Sequence, residues 1–496
     1  MKLHYLCTAA GIEYGEVENV EINAVKSNSE KIEKGDLFVC VKGLHLDGHD
    51  YIQKAIDRGA AAVISERPTE CAVPVVVIEN TRRALPLLCD AVLGFPSKRL
   101  KLVAVTGTNG KTSVTYMLRA IFNAAMYKTG LIGTVRCYCG ESVLDGGNGN
   151  PLANMTTPDP EELFALFKKM ADEGVEYVFM EASSHALALD KLEGLRFEAA
   201  VFTNLTPEHL DFHKDMEEYF LAKSRLFEKS KRCIINTDDP YGKRLIEAFR
   251  QRSVGCSSIR KCCDYFAGDI KELGIEGNRY RMVAPTRQFV IRTPLVGGFN
   301  VMNTLEAAAC AVELGVAPQS IMSALAVMNG VEGRLERVRL GVITDYSVFI
   351  DYAHTPDALY NLLETLCKIR RCGERIVLVF GCGGDRDKSK RRKMGEIAAR
   401  YADKLIVTSD NSRSEKPADI ISEIVAGIGS FEHTVIEDRA KAIEYAVKTA
   451  QTGDLIVLAG KGHEEYEIDA LGKHPFSEKN IAAEAAQKYY SEKAGK

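Results

Sequence analysis

The chain has 496 residues, 46% hydrophobic and 27% charged, too many for one core, which predicts two to four domains. A formal net charge of -4 excludes a general polyanion binder, because non-specific nucleic-acid affinity needs a broad basic surface. Fourteen scattered cysteines, several in apolar runs (Cys40, Cys89, Cys310), read as reduced thiols of a cytoplasmic protein; no export signal is expected in Met1 to Gly11, and no apolar run is long enough to span a bilayer.

Three regions follow one another. From 1 to 98, strand-like runs at Asp36 to Val41, Ala61 to Ser65 and Val75 to Glu79 alternate with helical pieces such as Tyr51 to Arg58. From 99 to 332, apolar strands are predicted at Leu102 to Val105, Tyr177 to Met180, Ala199 to Phe202 and Cys233 to Ile235, with helices between them. From 333 to 496, strands at Arg375 to Phe380, Lys404 to Thr408 and Leu455 to Ala459 again alternate with helices. This alternation predicts α/β folds: a mostly parallel central sheet and a Rossmann-like C-terminal domain.

The first chemical signal follows the strand at Leu102. Gly107-Thr108-Asn109-Gly110-Lys111-Thr112-Ser113 places a glycine loop between strand and helix, a cradle for phosphate oxygens in which Lys111 reaches the terminal phosphates and the Thr112 hydroxyl ligates Mg²⁺. Val105 stands where the general phosphate-loop motif has its first glycine, so the loop is the shorter form. Glu181, closing an apolar strand, would present a carboxylate to the crevice. Taken as residues alone, His209 reads as a structural histidine, Lys223 as a solvated helix lysine and Asn300 as a helix cap. Thr156 and Thr157 read as caps or as ligands of an anion. Beyond the strand ending at Phe380, Gly381-Cys382-Gly383-Gly384-Asp385-Arg386-Asp387 predicts an anion site near Arg386. The basic run Lys388 to Lys393 reads as a solvated helix face or a nucleic-acid patch.

Eight motifs in order carry a resemblance. They are Gly107 to Thr112, Thr156-Thr157-Pro158, Glu181 to Leu187, Thr203 to Asp211, Ala222 to Phe227, Gly298-Phe299-Asn300, Gly333 to Glu336 and Asp351 to Pro356. Over nearly its whole length the chain resembles the Mur ligase family, and within it the ligases that add an amino acid to a UDP-N-acetylmuramoyl-dipeptide.

The resemblance implies an ATP-dependent amide ligase of cell-wall peptide synthesis, using Mg²⁺, acting through an acyl phosphate and working as a monomer. It implies that Glu181 and His209 hold Mg²⁺ near the γ-phosphate, and that Lys223 is carboxylated to a carbamate that ligates a second Mg²⁺. Asn300 and Asn303 would lie beside adenine, while Arg334, Asp351 and His354 would complete the ATP site. Ser29, Thr156, Thr157, Ser183 and Lys191 would contact the UDP substrate. Arg386 would hold the α-carboxylate of the added amino acid.

Asp410-Asn411-Ser412-Arg413 would select that amino acid, with Gly460 and Glu464 at its distal centre and Glu464 pairing its ammonium. Arg413 and Glu464 together imply meso-diaminopimelate rather than L-lysine. The chain departs from the family pattern at Glu30, Leu189, Lys191 and Glu208. It also has Ser412 in place of proline, which frees φ there and predicts a less fixed loop. The rival readings are a folylpolyglutamate-type ligase and a P-loop NTPase switch.

Overall fold

The structure is a computed structural model that describes residues 1–43, 46–144, 156–210, 212–328 and 330–494. Asp211 of the fourth motif lies outside the described residues. The chain folds as two compact units. One comprises 1–267, 282–289 and 302–324; the other comprises 268–281, 290–301 and 325–496.

The first unit holds two parallel sheets. The N-terminal one pairs Val25–Lys26, Leu37–Val39, Ala62–Ser65 and Val75–Val77 in that order, all parallel. The parallel centre of the larger sheet runs Ser253–Ser257, Ser230–Asn236, Phe197–Phe202, Lys101–Thr106, Tyr177–Glu181 and Thr129–Ile132. Strands such as Val103-Ala104-Val105 and Ala199 to Phe202 are apolar on both faces and wholly buried, as a parallel sheet covered by helices requires. One hydrophobic cluster runs from Leu3 through Leu88, Met180 and Phe202 to Leu245, so both sheets of this unit share a core. An antiparallel hairpin, Cys137–Cys139 with Ser142–Leu144, closes one edge.

The second unit is Rossmann-like. Its sheet runs Glu336–Arg337, Ser347–Asp351, Leu455–Ala459, Ile376–Phe380, Lys404–Val407 and His433–Val435, parallel except for the first pair. The two faces of this sheet each have a core, one around Leu363, Phe380 and Ile424 and one around Ile350, Val379 and Ala446. The carboxyl ends of Leu455–Ala459, Ile376–Phe380 and Lys404–Val407 are neighbours. The loops beginning at Gly460, Gly381 and Thr408 therefore converge at the end where doubly wound sheets hold ligands. Among the described residues no helix is long and apolar enough to cross a membrane.

Candidate active site

In the first unit the phosphate loop joins Lys101–Thr106 to the helix Lys111–Ala124. Its shape depends on Gly107, at φ +149°, where an added Cβ would lie 1.9 Å from Thr203 Oγ1. The neighbouring strand's exit loop clamps it. The Thr108 amide donates to the Asn204 carbonyl (2.8 Å) and the Asn109 amide to Asn204 Oδ1 (2.9 Å). Thr203 Oγ1 donates to the Asn109 carbonyl. Lys111 curls back, donating to the carbonyls of Gly107 (3.1 Å) and Thr108 (2.8 Å). Thr112 is buried, and Ser113 sits in the same first helical turn. That turn adds the positive end of a helix dipole to the loop.

Asn303 lies against the loop, its Oδ1 2.7 Å from where a Cβ on Gly110 would be. Asn300 is in the second unit. It is the second residue of the helix Phe299–Glu313, and its side-chain Nδ2 donates to the Val296 carbonyl (2.7 Å), so it is not the helix cap that the residues alone suggest.

Lys223 departs most from its expectation as a solvated lysine. Its helix, Met216–Glu228, carries it to 1% exposure, with Nζ 2.7 Å from the Gly107 carbonyl and 4.6 Å from the centre of the Tyr219 ring. Burial, with Lys111 adding to it, drives this amine's pKa well below the usual lysine value. Glu181 is also fully buried. Its Oε1 accepts from the Thr134 amide (2.9 Å) and its Oε2 from the Thr134 hydroxyl (3.2 Å). His209 adopts φ +56°, stacks edge-on against His185 at 4.9 Å and has Glu208 3.8 Å away.

Among the described residues no three His, Cys, Asp or Glu side chains are grouped to hold a metal ion unaided. The Glu181 carboxylate and the Thr112 hydroxyl are nevertheless oxygen donors of the kind taken by a hard cation that keeps phosphate and water ligands, while the His209 imidazole is a softer one.

Thr156, Thr157 and Ser183 come together beside Glu181. Thr157 Oγ1 donates to the Glu181 carbonyl (2.9 Å) and accepts from the Ser183 amide (3.0 Å). Thr156 Oγ1 accepts from Thr134. Lys191 pairs with Asp159 at 2.7 Å. Neither threonine caps the helix Pro160–Asp172, whose N-cap is Asp159. Ser183 caps the next helix through the Ala186 amide. Ser29 is buried in a short 3-10 turn, and the preceding Ser27 donates to Glu161 Oε1. Glu30 is paired with Lys54.

In the second unit, Asp351 accepts from the amides of Leu335 (2.6 Å) and Ala353 (2.8 Å), and burial raises its pKa above the usual carboxylate range. His354, whose pKa burial lowers, has Nδ1 2.8 Å from the Tyr352 carbonyl, and Arg334 lies over the Tyr352 ring. Arg386 is exposed on its loop.

The segment Asp410-Asn411-Ser412-Arg413 is more fixed than the loss of proline predicts. Ser412 is 5% exposed, the Gly384 amide donates to the Asn411 carbonyl (2.9 Å), and Asp385 accepts from the amide and hydroxyl of Ser414. Tertiary contacts replace the missing ring. Arg413, at φ +52°, donates from Nη1 to the Gly384 carbonyl (2.8 Å). Asn411 Nδ2 donates to Glu464 Oε2 (2.7 Å), and an added Cβ on Gly460 would lie 2.5 Å from Asp410 Oδ2. Burial alone would raise the Asp410 pKa, but Arg439 and Lys461 together hold it below its usual value. For Glu464, burial wins and raises the pKa.

Most of the basic run is the solvated helix face the residues suggest, with Lys388, Arg392 and Lys393 exposed, but Arg391 departs from it. Arg391 is fully buried and grips Glu415 and Glu423, Lys388 pairs with Glu415, and Lys390 donates to the His354 carbonyl. Glu415 in turn accepts from the Asp385 amide, so Arg391 braces the loops that carry Asp385 and Glu415.

Sequence reasoning also missed Glu306, one turn after Asn303. It is 0% exposed, and neither carboxyl oxygen has a hydrogen-bond partner among the described residues. Burial chiefly, then Asp238 and Asp239, raise its pKa well above the usual value, which favours the neutral form in the fold more than in the unfolded chain. A raised folded pKa gives stability that is fully present below the unfolded pKa and declines as pH rises. Glu306→Gln should therefore raise the thermal midpoint, by roughly 3–6 °C at pH 8 and by less at pH 6. Calorimetry at both values checks this.

Comparison with known proteins gives three family matches: "Mur ligase family, catalytic domain" over residues 21–92, "Mur ligase middle domain" over 105–311 and "Mur ligase, glutamate ligase domain" over 333–462. The chain is 42% identical over 476 residues to UDP-N-acetylmuramoyl-L-alanyl-D-glutamate--2,6-diaminopimelate ligase of Syntrophomonas wolfei, covering 94% of each. It is 43% identical over 475 residues to the protein of the same name in Bacillus velezensis, again covering 94% of each. A solved structure bearing that ligase name superposes with a TM-score of 0.72 at 29% identity, covering 99% of this chain and 100% of the other.

Proposed function

The chain belongs to the Mur ligase family, and from that premise we propose that it is an ATP-dependent ligase joining meso-diaminopimelate to UDP-N-acetylmuramoyl-L-alanyl-D-glutamate in peptidoglycan synthesis. It works in the cytoplasm on a nucleotide-linked precursor. We place its domain boundaries at 98/99 and 332/333.

The acceptor's carboxylate attacks the γ-phosphoryl group of ATP, forming an acyl phosphate and releasing ADP. The amine of diaminopimelate then attacks the acyl carbon, phosphate leaves, and the amine's proton is lost as the amide forms. Lys111 exchanges its loop carbonyls for phosphate oxygens and offsets their charge, and the amides at the N-terminus of the helix Lys111–Ala124 orient the γ-phosphoryl group. Thr112, Glu181, His209 and Lys223, the last as its carbamate, would hold Mg²⁺, which supplies charge neutralisation at the phosphates. Lys223 is suited to that modification, since a neutral amine adds CO₂ with loss of one proton.

One observation carries the choice of amino acid: Asn411 ties Glu464 to the loop that also bears Arg413. A carboxylate and a guanidinium side by side suit a distal centre that is itself an ammonium and a carboxylate. The test is a coupled assay of phosphate release and amide formation. Phosphate should appear in step with amide only when acceptor and diaminopimelate are both present, and L-lysine should be at least 100-fold poorer in kcat/KM. ATP hydrolysis at full rate without acceptor would instead favour an NTPase switch.

A further inference from the structure

Lys461 lies between two proposed contact residues, Gly460 and Glu464, yet its side chain is 0% exposed. Its Nζ donates to Asn411 Oδ1 (2.9 Å) and to the Tyr466 carbonyl (3.1 Å), and stands 3.7 Å from Asp410 Oδ1. Burying an ammonium is costly unless it is paired and hydrogen-bonded, as Lys461 is with Asp410 and Asn411. Its contact with Asn411 points to a role in the neighbouring loop as well as in the fold.

The Asn411 amide supplies that role. A primary amide has two ends of nearly the same shape, one accepting and one donating. Here Oδ1 receives two donors at once, Lys461 Nζ and the Ile468 amide, each at 2.9 Å. Turning the amide over would set its NH₂ against both donors. Nδ2 is thereby held on the opposite side, where it donates to Glu464 Oε2 at 2.7 Å. The groups facing Lys461 are Asp410, Arg439, Glu464 and Glu467. Asp410 keeps the ammonium in place, while Arg439 is occupied by Glu478 and by the carbonyls of Ser409 and Ala459.

We propose that Lys461 is a positioning residue: by fixing the orientation of the Asn411 amide it aims the Glu464 carboxylate at the distal ammonium of the incoming amino acid. This rests on reading the site as one for diaminopimelate.

The experiment compares diaminopimelate with 2-aminopimelate, which keeps the distal carboxylate and lacks the distal ammonium. Wild-type enzyme must first ligate diaminopimelate and prefer it over the analogue; if it does not, the reading of the site fails before Lys461 is tested. With that preference established, Lys461→Met should raise KM for diaminopimelate about 10–100-fold, leave KM for ATP and for the acceptor within about twofold, and shrink the preference by a similar factor. A merely structural lysine would lower kcat for both amino acids and leave their ratio unchanged, which overturns the proposal.

Asn411→Asp decides the matter if Lys461→Met does not fold. Its carboxylate still accepts from Lys461 and has no hydrogen to give Glu464, so the same loss of preference is expected. An unchanged ratio in that variant refutes the chain of contacts.

Discussion

Lys223→Ala will lose roughly 10²–10³-fold in kcat, and a short carboxylic acid supplied at high concentration will restore part of it. The amine is sealed against the phosphate loop, 2.7 Å from the Gly107 carbonyl, with the Tyr219 ring beneath it. Burial holds its pKa well below the lysine value, which favours the neutral form that reacts with CO₂. Once carboxylated, the group is an anionic oxygen donor, and alanine leaves a space that a small carboxylate fills. Steady-state rates with and without formate or acetate measure this. A variant that stays active and does not respond to the acid removes the carbamate from the mechanism.

Arg413→Leu will cut kcat/KM for diaminopimelate by about 10²–10³-fold while changing the slow turnover of L-lysine less than about threefold. Arg413 is anchored by Nη1 on the Gly384 carbonyl and held by a left-handed backbone, which turns the guanidinium fork toward the loop cluster with little rotamer freedom left to lose. L-lysine has no distal carboxylate to miss the fork. Arg413→Lys should fall nearly as far, since an ammonium cannot grip a carboxylate with two parallel bonds. Parallel assays with both amino acids measure the ratio. An equal loss for the two would make Arg413 a structural residue.

The parallel strands were legible because they are apolar on both faces: Tyr177 to Met180 and Leu455 to Ala459 appear where their runs predict. The phosphate loop was legible because strand, glycines and helix stand in one short order. Apolar runs do not reveal the strands at Tyr265–Glu272, Asn278–Ala284 and Arg287–Thr293, which mix charged and apolar residues. In Asn278–Ala284 the buried residues are Asn278, Tyr280, Met282 and Ala284, a period of two that a search for apolar runs overlooks.

Buried charges were hidden in the same way. Lys223 lies on the stripe formed by Tyr219, Leu226 and Phe227, and Arg391 on that of Met394, Gly395 and Ala398, so helical periodicity places both inside while composition suggests solvent. The positions of Thr134 and Lys461 depend on contacts between distant segments, which no local pattern encodes.

Asn204 already engages the amides of Thr108 and Asn109, and Gly107 has no clearance for another shape. The cradle is thus cast before any nucleotide arrives. Little chain entropy remains to be lost on docking, so affinity for ATP is not weakened by ordering the loop. Turnover between ADP and ATP then needs only the ligand's departure and the swing of one flexible lysine, with the mould itself unchanged from cycle to cycle.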